Sequence, residues 1–169
     1  MQNTGNLKVD AQGEREIVMT RSFNAPRDLV YEAFTRPELL KRWLGVFGGW
    51  SLAVCEIDLR VGGKYRWVWR NTDGTEMGVS GVYREIVPGE RLVTTERFDD
   101  PWYPGEAIGT VVLTYEAGKT TLTQTLLYES RDIRDAVLKS PMETGLEASY
   151  KALEQVLASR ASSEQGEVA

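Results

Sequence analysis

From residue 50 to residue 128, strand-like segments follow one another with only short turn sequences between most of them. The segments fall near residues 50–58, 64–70, 76–87, 91–98, 109–117 and 119–128. Glycine and proline mark the turns, as in Asp73-Gly74 and Pro88-Gly89. Parallel strands need crossovers of a dozen or more residues, so the short connections predict an antiparallel meander.

One more strand and four helices complete the predicted architecture. Residues 15–23, REIVMTRSF, alternate in polarity and carry β-branched side chains, which predicts a first strand. Two short helices should follow, one over 26–34 and one from a cap at Thr35 to about residue 43, because Thr-x-x-Glu is a capping-box pattern. A short helix over 130–139 precedes a long amphipathic helix over 141–160.

We therefore predict an α+β fold of about seven antiparallel strands with a long C-terminal helix. At 169 residues the chain is long enough for one substantial core and short for two. The predicted domain covers residues 14–160. Residues 1–13 and 161–169 are polar and aperiodic, so we expect them to be flexible tails.

Charge and composition exclude several classes of function. The formal net charge is −5, which argues against a nucleic-acid partner. The longest uncharged apolar run, residues 43–55, is far shorter than the roughly 20 residues of a membrane-spanning helix. One cysteine and no histidine lead us to expect no disulfide, metal, cofactor or histidine-based catalysis. With no signal-peptide pattern, these features predict a cytoplasmic protein.

The strand within GGKYRWVWRNTDG, residues 62–74, carries an unusual set of side chains. Tyr65, Trp67 and Trp69 alternate with Arg66, Val68 and Arg70. The three rings should therefore share one face of the strand, with the arginines on the other. Two interpretations fit the rings: they fill a core, or they form the wall of a pocket.

The long helix carries two small residues on its apolar stripe, Gly145 and Ser149. A glycine inside a helix costs about 1 kcal/mol relative to alanine. Gly145 therefore indicates either close packing of the helix backbone or free space beside it. Two small residues, where one suffices for close packing, favour free space.

Four longer segments together resemble a known superfamily. They are FNAPRDLVYEAFTRPELLKRWLG, DLRVGGKYRWVWR, DGTEMGVSGVYREIVPGERLVTTERF and METGLEASYKALEQVLA. The chain resembles the SRPBCC superfamily, in the branch related to the C-terminal domain of the activator of heat-shock-protein-ninety ATPase. The resemblance implies a helix-grip fold, in which a curved antiparallel sheet encloses the long helix and leaves a cavity between them.

The resemblance also implies three candidate functions. Members of the superfamily bind apolar small molecules, and this is our leading hypothesis. Eukaryotic relatives of this branch stimulate a chaperone ATPase, so a stress-response cofactor with a chaperone partner is the alternative. A minority are cyclase-like enzymes, for which tyrosines such as Tyr83, Tyr115 or Tyr150 could donate protons. We assign no catalytic residue.

The ligand-binding hypothesis names twelve residues. They are Trp43, Tyr65, Trp67, Trp69, Tyr83, Phe98, Trp102, Tyr103, Tyr115, Gly145, Ser149 and Tyr150. Trp102 and Tyr103 either cap a cavity mouth or anchor their loop on the sheet edge. The acidic residues of the same segment, 96–107, match no standard cation-binding loop, which favours a solvated turn. Residues 43–51, WLGVFGGWS, suit a lid, a partner-binding patch or ordinary packing.

Overall fold

The computed structural model describes residues 7–100 and 105–168, with the side chains of the last helix described as far as residue 161. Every helix and strand expected from the sequence is present, with shifts of a few residues at most ends. In chain order the elements are β1 (Lys8–Gln12), β2 (Glu16–Phe23), α1 (Arg27–Thr35), α2 (Pro37–Leu40), β3 (Trp50–Ile57), β4 (Lys64–Asn71), β5 (Glu76–Val87), β6 (Arg91–Phe98), β7 (Ala107–Glu116), β8 (Lys119–Leu127), α3 (Arg131–Lys139) and α4 (Met142–Val168).

The described strands form one antiparallel sheet in the spatial order β1-β2-β8-β7-β6-β5-β4-β3. The strands from β3 to β8 are consecutive neighbours, which confirms the meander predicted from the short turns. β2 pairs with β8 and not with β3. The segment containing α1 and α2 therefore carries the chain to the far edge of the sheet.

The described sheet has eight strands, one more than the predicted seven. β1 pairs with β2 along its whole length, in a segment predicted to be a flexible tail. The buried side chain of Arg134 on α3 accounts for this order. Its Nη1 donates to the carbonyl oxygens of Gln12, Gly13 and Glu16 at 3.4, 3.3 and 2.9 Å. The anchor comes from a residue more than a hundred positions away, so residues 1–13 alone carry no signal of it.

Two local expectations differ from the structure. Thr35 is predicted to cap α2, but it is the last residue of α1, and its hydroxyl donates to the Tyr31 carbonyl at 2.9 Å. The predicted capping box is therefore wrong. The long helix is predicted to end near residue 160, whereas α4 continues to Val168 through residues expected to form a tail.

α4 packs its apolar stripe onto the sheet. Tyr150, Leu153, Val156 and Leu157 are all buried, and burying each side chain of this size contributes about 1.5–3 kcal/mol. These residues follow the first two turns of α4, so the stretch from Tyr150 to Leu157 closes the core. In the described part of the chain, no helix is both long enough and apolar enough to cross a membrane.

An ion pair fixes the position of α4 along β2. Arg21 is buried on β2, and its Nη1 donates to Glu154 Oε2 of α4 at 3.2 Å and to the Ser22 carbonyl at 3.0 Å. The guanidinium carbon lies 4.7 Å from the ring centroid of Phe23, within the range of cation–π attraction. A buried charge with these partners resists sliding of the helix, because any shift would leave it without compensation.

Arg134→Ala should lower the free energy of unfolding by about 2 kcal/mol, because three turn carbonyls lose a charged hydrogen-bond donor. Urea denaturation measures this loss, and hydrogen exchange of the β1 amides should accelerate in the same variant. Arg131→Ala is the control, since it removes an equal charge from an exposed position of the same helix. It should change stability by less than about 0.5 kcal/mol. Equal, small effects of the two substitutions would show that Arg134 is not an anchor.

Candidate functional site

A cavity lies between α4 and the sheet. Its volume is about 400 Å³, within the range of roughly 300–1,000 Å³ typical of small-molecule sites. Residues of α4 form one wall and residues of β4 to β8 form the opposite wall. The segment 43–50, which follows α2 and ends at the first residue of β3, contributes a third side. The sheet therefore curves around the helix without filling the space beneath its first turns.

The aromatic residues of β4 belong to the cavity wall. Tyr65, Trp67 and Trp69 all line it. The ring centroids of Tyr65 and Trp67 are 4.6 Å apart, and those of Trp67 and Trp69 are 6.1 Å apart. Arg66 and Arg70 form exposed ion pairs on the other face of the strand. The alternation in the sequence thus predicted the correct face for all five residues.

Hydrogen bonds fix two of these rings. The Tyr65 hydroxyl donates to the Thr95 carbonyl at 2.6 Å, and the Trp69 indole N–H donates to the Leu44 carbonyl at 3.0 Å. The indole N–H of Trp67 is buried and has no hydrogen-bond partner among the described residues. Fixed rings lose little conformational freedom when a ligand packs against them, so this wall is organised in advance.

Gly145 faces open space. A Cβ atom added to this residue would meet no heavy atom within 4 Å outside its own helix backbone, and Gly145 lines the cavity. Close packing of the helix backbone therefore does not explain the glycine. Ser149, one turn further along, is buried and accepts a hydrogen bond from the Gly45 backbone N–H at 3.0 Å. Ser149 thereby ties the segment 43–50 to α4.

Trp43 and Tyr150 form a buried aromatic pair in the lining of the cavity. Their rings are stacked with centroids 6.1 Å apart, and both side chains are almost fully buried. The Trp43 indole N–H donates to the Ala33 carbonyl at 3.0 Å, and the Tyr150 hydroxyl donates to Gln124 Oε1 at 3.1 Å. Both polar atoms of this aromatic pair are therefore satisfied within the protein.

The segment 43–50 packs tightly at one point and is exposed at another. Gly45 has a φ of +72°, and an added Cβ would lie 2.1 Å from the Trp69 indole nitrogen, so only glycine fits there. Phe47 lines the cavity yet is 46% exposed, and Met77 of β5, which also lines it, is 40% exposed. These two residues mark where the cavity opens to solvent.

Nine of the twelve residues named from the sequence line the cavity: Trp43, Tyr65, Trp67, Trp69, Tyr83, Phe98, Gly145, Ser149 and Tyr150. Tyr115 does not. It lies near the end of β7 and is 51% exposed, so its inclusion is corrected: it shares the face of Val111 and Leu113, but β7 has left the core by this position. Trp102 and Tyr103 lie outside the described residues.

The structure adds polar residues that the sequence analysis did not assign to the cavity. Thr94 and Glu96 of β6, Gln124 of β8, and Tyr128 all line it. A signal for two of them existed, because Thr94 and Glu96 continue the alternation that begins at the buried Leu92. From the sequence, however, Glu96 was grouped with the acidic residues of the following loop and was predicted to lie in a solvated turn.

Those acidic residues do not form a cluster. The Asp99 carboxylate accepts two hydrogen bonds from the Arg66 guanidinium, at 3.0 and 2.5 Å, and Glu96 lines the cavity instead. No group of three or more histidine, cysteine or acidic side chains in the described ranges 7–100 and 105–161 is placed to hold a metal ion.

Burial raises the pKa of the four tyrosine hydroxyls that line the cavity, Tyr65, Tyr83, Tyr128 and Tyr150. The nearby charge of Glu96 raises the pKa of Tyr65 and Tyr128 further. For Tyr150 the charge of Arg21 acts in the opposite direction but is the smaller effect. All four phenols stay protonated near neutral pH, where they can donate hydrogen bonds but cannot act as bases.

The fold and the cavity together define the class of protein. A large antiparallel sheet around a C-terminal helix, with a cavity between them, is the architecture of the SRPBCC superfamily. Residues 24–158 match the family described as Activator of Hsp90 ATPase homolog 1-like protein. The chain belongs to this family. No curated protein matches the chain.

Solved bacterial structures share the fold over nearly their whole length. A protein from Rhodobacter sphaeroides is 30% identical, with a TM-score of 0.86, and the match covers 90% of this chain and 98% of that one. A protein from Chromobacterium violaceum is 34% identical, with a TM-score of 0.69, over 85% of this chain and 96% of that one. A protein from Nitrosomonas europaea is 25% identical, with a TM-score of 0.78, over 90% of this chain and 99% of that one.

The four tyrosines predict how the protein unfolds in alkali. In an unfolded chain tyrosine ionises near pH 10, whereas the folded-state pKa of these residues is raised. Above about pH 10 the unfolded state therefore binds fewer protons than the folded state, so stability falls as pH rises, and it is unaffected below that pH. Because the chain has seven tyrosines, only part of the phenolate absorbance should appear together with loss of tryptophan burial. Ionisation of all the tyrosines well before unfolding would contradict the raised pKa of the four buried ones.

Cys55 on β3 should react slowly with alkylating reagents. Desolvation, slightly opposed by the charge of Lys41, raises the pKa of its thiol to about 11, and only the thiolate is nucleophilic. At pH 8 we expect iodoacetamide to modify the folded protein about a hundredfold more slowly than free cysteine. The protein unfolded in urea, where the thiol is solvated, is the control and should react at the ordinary rate. Fast labelling of the folded protein would contradict the raised pKa.

Proposed function

We propose that this protein binds an apolar, ring-containing small molecule in the cavity between α4 and the sheet. The observation that carries the proposal is the open space beside Gly145, which lines the same cavity as the aromatic residues of β4. A helix interior of ordinary sequence would place a side chain there. Glycine at this position costs helix stability, so retaining free space has a cost that ligand binding would explain.

The nature of the lining supports an apolar aromatic ligand. Trp43, Trp67 and Trp69 all line the same space, and aromatic side chains favour stacked or edge-on contacts with other rings. The hydroxyls of Tyr65 and Tyr150 already donate to partners within the protein. Most of the wall therefore recognises shape and rings, with few polar groups to set orientation.

Family membership favours a second candidate, an interaction protein that acts on a chaperone. The family description names an activator of the Hsp90 ATPase. Two exposed apolar residues next to the cavity mouth, Val46 and Phe47, offer a small contact surface of the kind found in protein interfaces. One measurement distinguishes ligand binding from chaperone binding. If Val46 and Phe47 form a contact surface for a chaperone, Phe47→Ser should weaken binding to a purified Hsp90-type chaperone. If they do not, the substitution should leave that binding unchanged.

Filling the cavity tests the leading proposal. Gly145→Leu should abolish binding of N-phenyl-1-naphthylamine, a neutral probe that fluoresces in apolar surroundings, because the new side chain occupies the free space. The same change should raise the free energy of unfolding, by up to about 1 kcal/mol, since leucine favours a helix over glycine. Fluorescence titration and urea denaturation measure the two effects.

Two variants control this experiment. Gly145→Ala gains the same helix propensity with only one added carbon, so it should be more stable and still bind the probe. Thr144→Leu adds an apolar side chain at an exposed position of the same helix and should leave binding unchanged. A loss of about 1–3 kcal/mol in Gly145→Leu would instead indicate overpacking and no usable space. Absence of probe binding by the unmodified protein would refute the proposed function.

A further inference from the structure

Among the described residues that line the cavity, Gln124 is the one with an amide side chain. It lies on β8 between its register partners, Met19 of β2 and Val111 of β7, and both of these also line the cavity. Leu122 and Leu126, two positions away on either side, are buried, so the alternation places a polar side chain where an apolar one is expected. Gln124 is only partly buried. Because its neighbours on this face belong to the cavity wall, its exposed part faces the cavity.

The two polar atoms of this amide differ in their hydrogen bonding. Gln124 Oε1 accepts from the Tyr150 hydroxyl at 3.1 Å. No described residue accepts a hydrogen bond from Nε2, and this nitrogen is not fully enclosed by protein. The buried hydroxyl of Tyr150 needs an acceptor, which explains the oxygen of the amide but leaves the nitrogen unexplained. The amide nitrogen therefore has two N–H donors to offer a bound molecule.

The hydrogen bond to Tyr150 also relates the amide to the free space beside Gly145. Tyr150 follows Gly145 by five residues, which is about 7.5 Å along the helix axis. A bicyclic ring system has a similar length. A ligand that fills the space beside Gly145 can therefore bring one of its groups to the Gln124 amide.

We infer that the ligand carries a carbonyl oxygen that accepts a hydrogen bond from the Gln124 amide. The inference rests on the proposed function and specifies its ligand class, an aromatic ketone or a related neutral carbonyl compound. A ligand without an acceptor would displace water from the amide N–H groups and leave them unpaired, which costs free energy. A carbonyl satisfies them and brings no proton that would need a further acceptor.

The rest of the lining disfavours a charged acceptor. None of the described residues that line the cavity is lysine or arginine. A carboxylate on the ligand would lose its hydration there with no cation to compensate for it. The lining therefore favours a neutral carbonyl compound over an acid of the same shape.

Two pairs of probes that differ only at the carbonyl test the inference. The ketones are 1- and 2-acetylnaphthalene, and the matching alkenes are 1- and 2-isopropenylnaphthalene, in which a CH₂ group replaces the carbonyl oxygen. Displacement of N-phenyl-1-naphthylamine measures the affinity of each. The infrared carbonyl stretch of at least one bound ketone should lie at lower frequency than in cyclohexane, because a hydrogen bond weakens the C=O bond. A stretch at the cyclohexane frequency for both ketones would overturn the inference in the unmodified protein alone.

A pair of variants removes the amide without leaving the Tyr150 hydroxyl unpaired. Tyr150→Phe removes that hydroxyl, and the double variant Tyr150→Phe/Gln124→Met then replaces the amide with an apolar side chain of similar length. From the single to the double variant, at least one ketone should lose about fivefold in affinity, as expected for one hydrogen bond. Neither alkene should bind more weakly. Gln12→Met removes an amide from an exposed position on β1 and should change none of these affinities.

The outcomes separate a ligand contact from a structural role. Equal affinity of both ketones for the single and the double variant would overturn the inference and show that Gln124 serves only Tyr150. An equal loss for ketones and alkenes would overturn it as well, because the substitution would then act through the shape of the cavity. If the double variant no longer binds N-phenyl-1-naphthylamine, the infrared comparison on the unmodified protein decides. If the unmodified protein does not bind that probe, the proposed function itself fails.

Discussion

The packing of α4 against the sheet is the interaction on which the rest of the structure depends. From Tyr150 onward the helix buries its apolar stripe, and the pair of Arg21 and Glu154 sets its position along β2. Before Tyr150 the same stripe carries Gly145 and Ser149. One helix thus leaves a cavity beside its first two turns and closes the core over the stretch from Tyr150 to Leu157. A change of register by one turn would bring a larger side chain into the free space.

Glycines, which have no side chain, shape the cavity as much as the aromatic residues do. Gly145 leaves space on the helix, Gly81 lets the ring of Tyr65 cross β5, and Gly45 lets the chain pass against the indole of Trp69. The rings around this space are held by hydrogen bonds to backbone carbonyls, as for Tyr65, Trp69 and Trp43. A rigid wall around a space of about 400 Å³ favours ligands of matching shape, because little ordering remains to be done on binding.

Sequence patterns anticipated those parts of the site that depend on local periodicity. Alternation over β4 assigned Tyr65, Trp67 and Trp69 to one face, and the helical stripe placed Gly145 beside them. The prediction that Tyr115 lines the cavity was wrong, because the alternation of side chains does not show where a strand leaves the core. Glu96 was missed although it alternates with Leu92, because an acidic residue ahead of an acidic loop was interpreted as part of that loop. The strand β1 was missed because Arg134, far along the chain, holds it.

The sequence by itself determined the order of the elements from β2 to α4, the antiparallel meander and the face on which the side chains of β4 lie. These follow from patterns with a period of two or 3.6 residues and from turn residues, which act between neighbours in the chain. The resemblance of four longer segments to a known superfamily indicated the family. Only the tertiary structure decided that Gly145 borders free space, that β1 joins the sheet, and that Glu96 lines the cavity. Each of these depends on contacts between elements that lie far apart in the sequence. A local sequence pattern carries no information about such contacts.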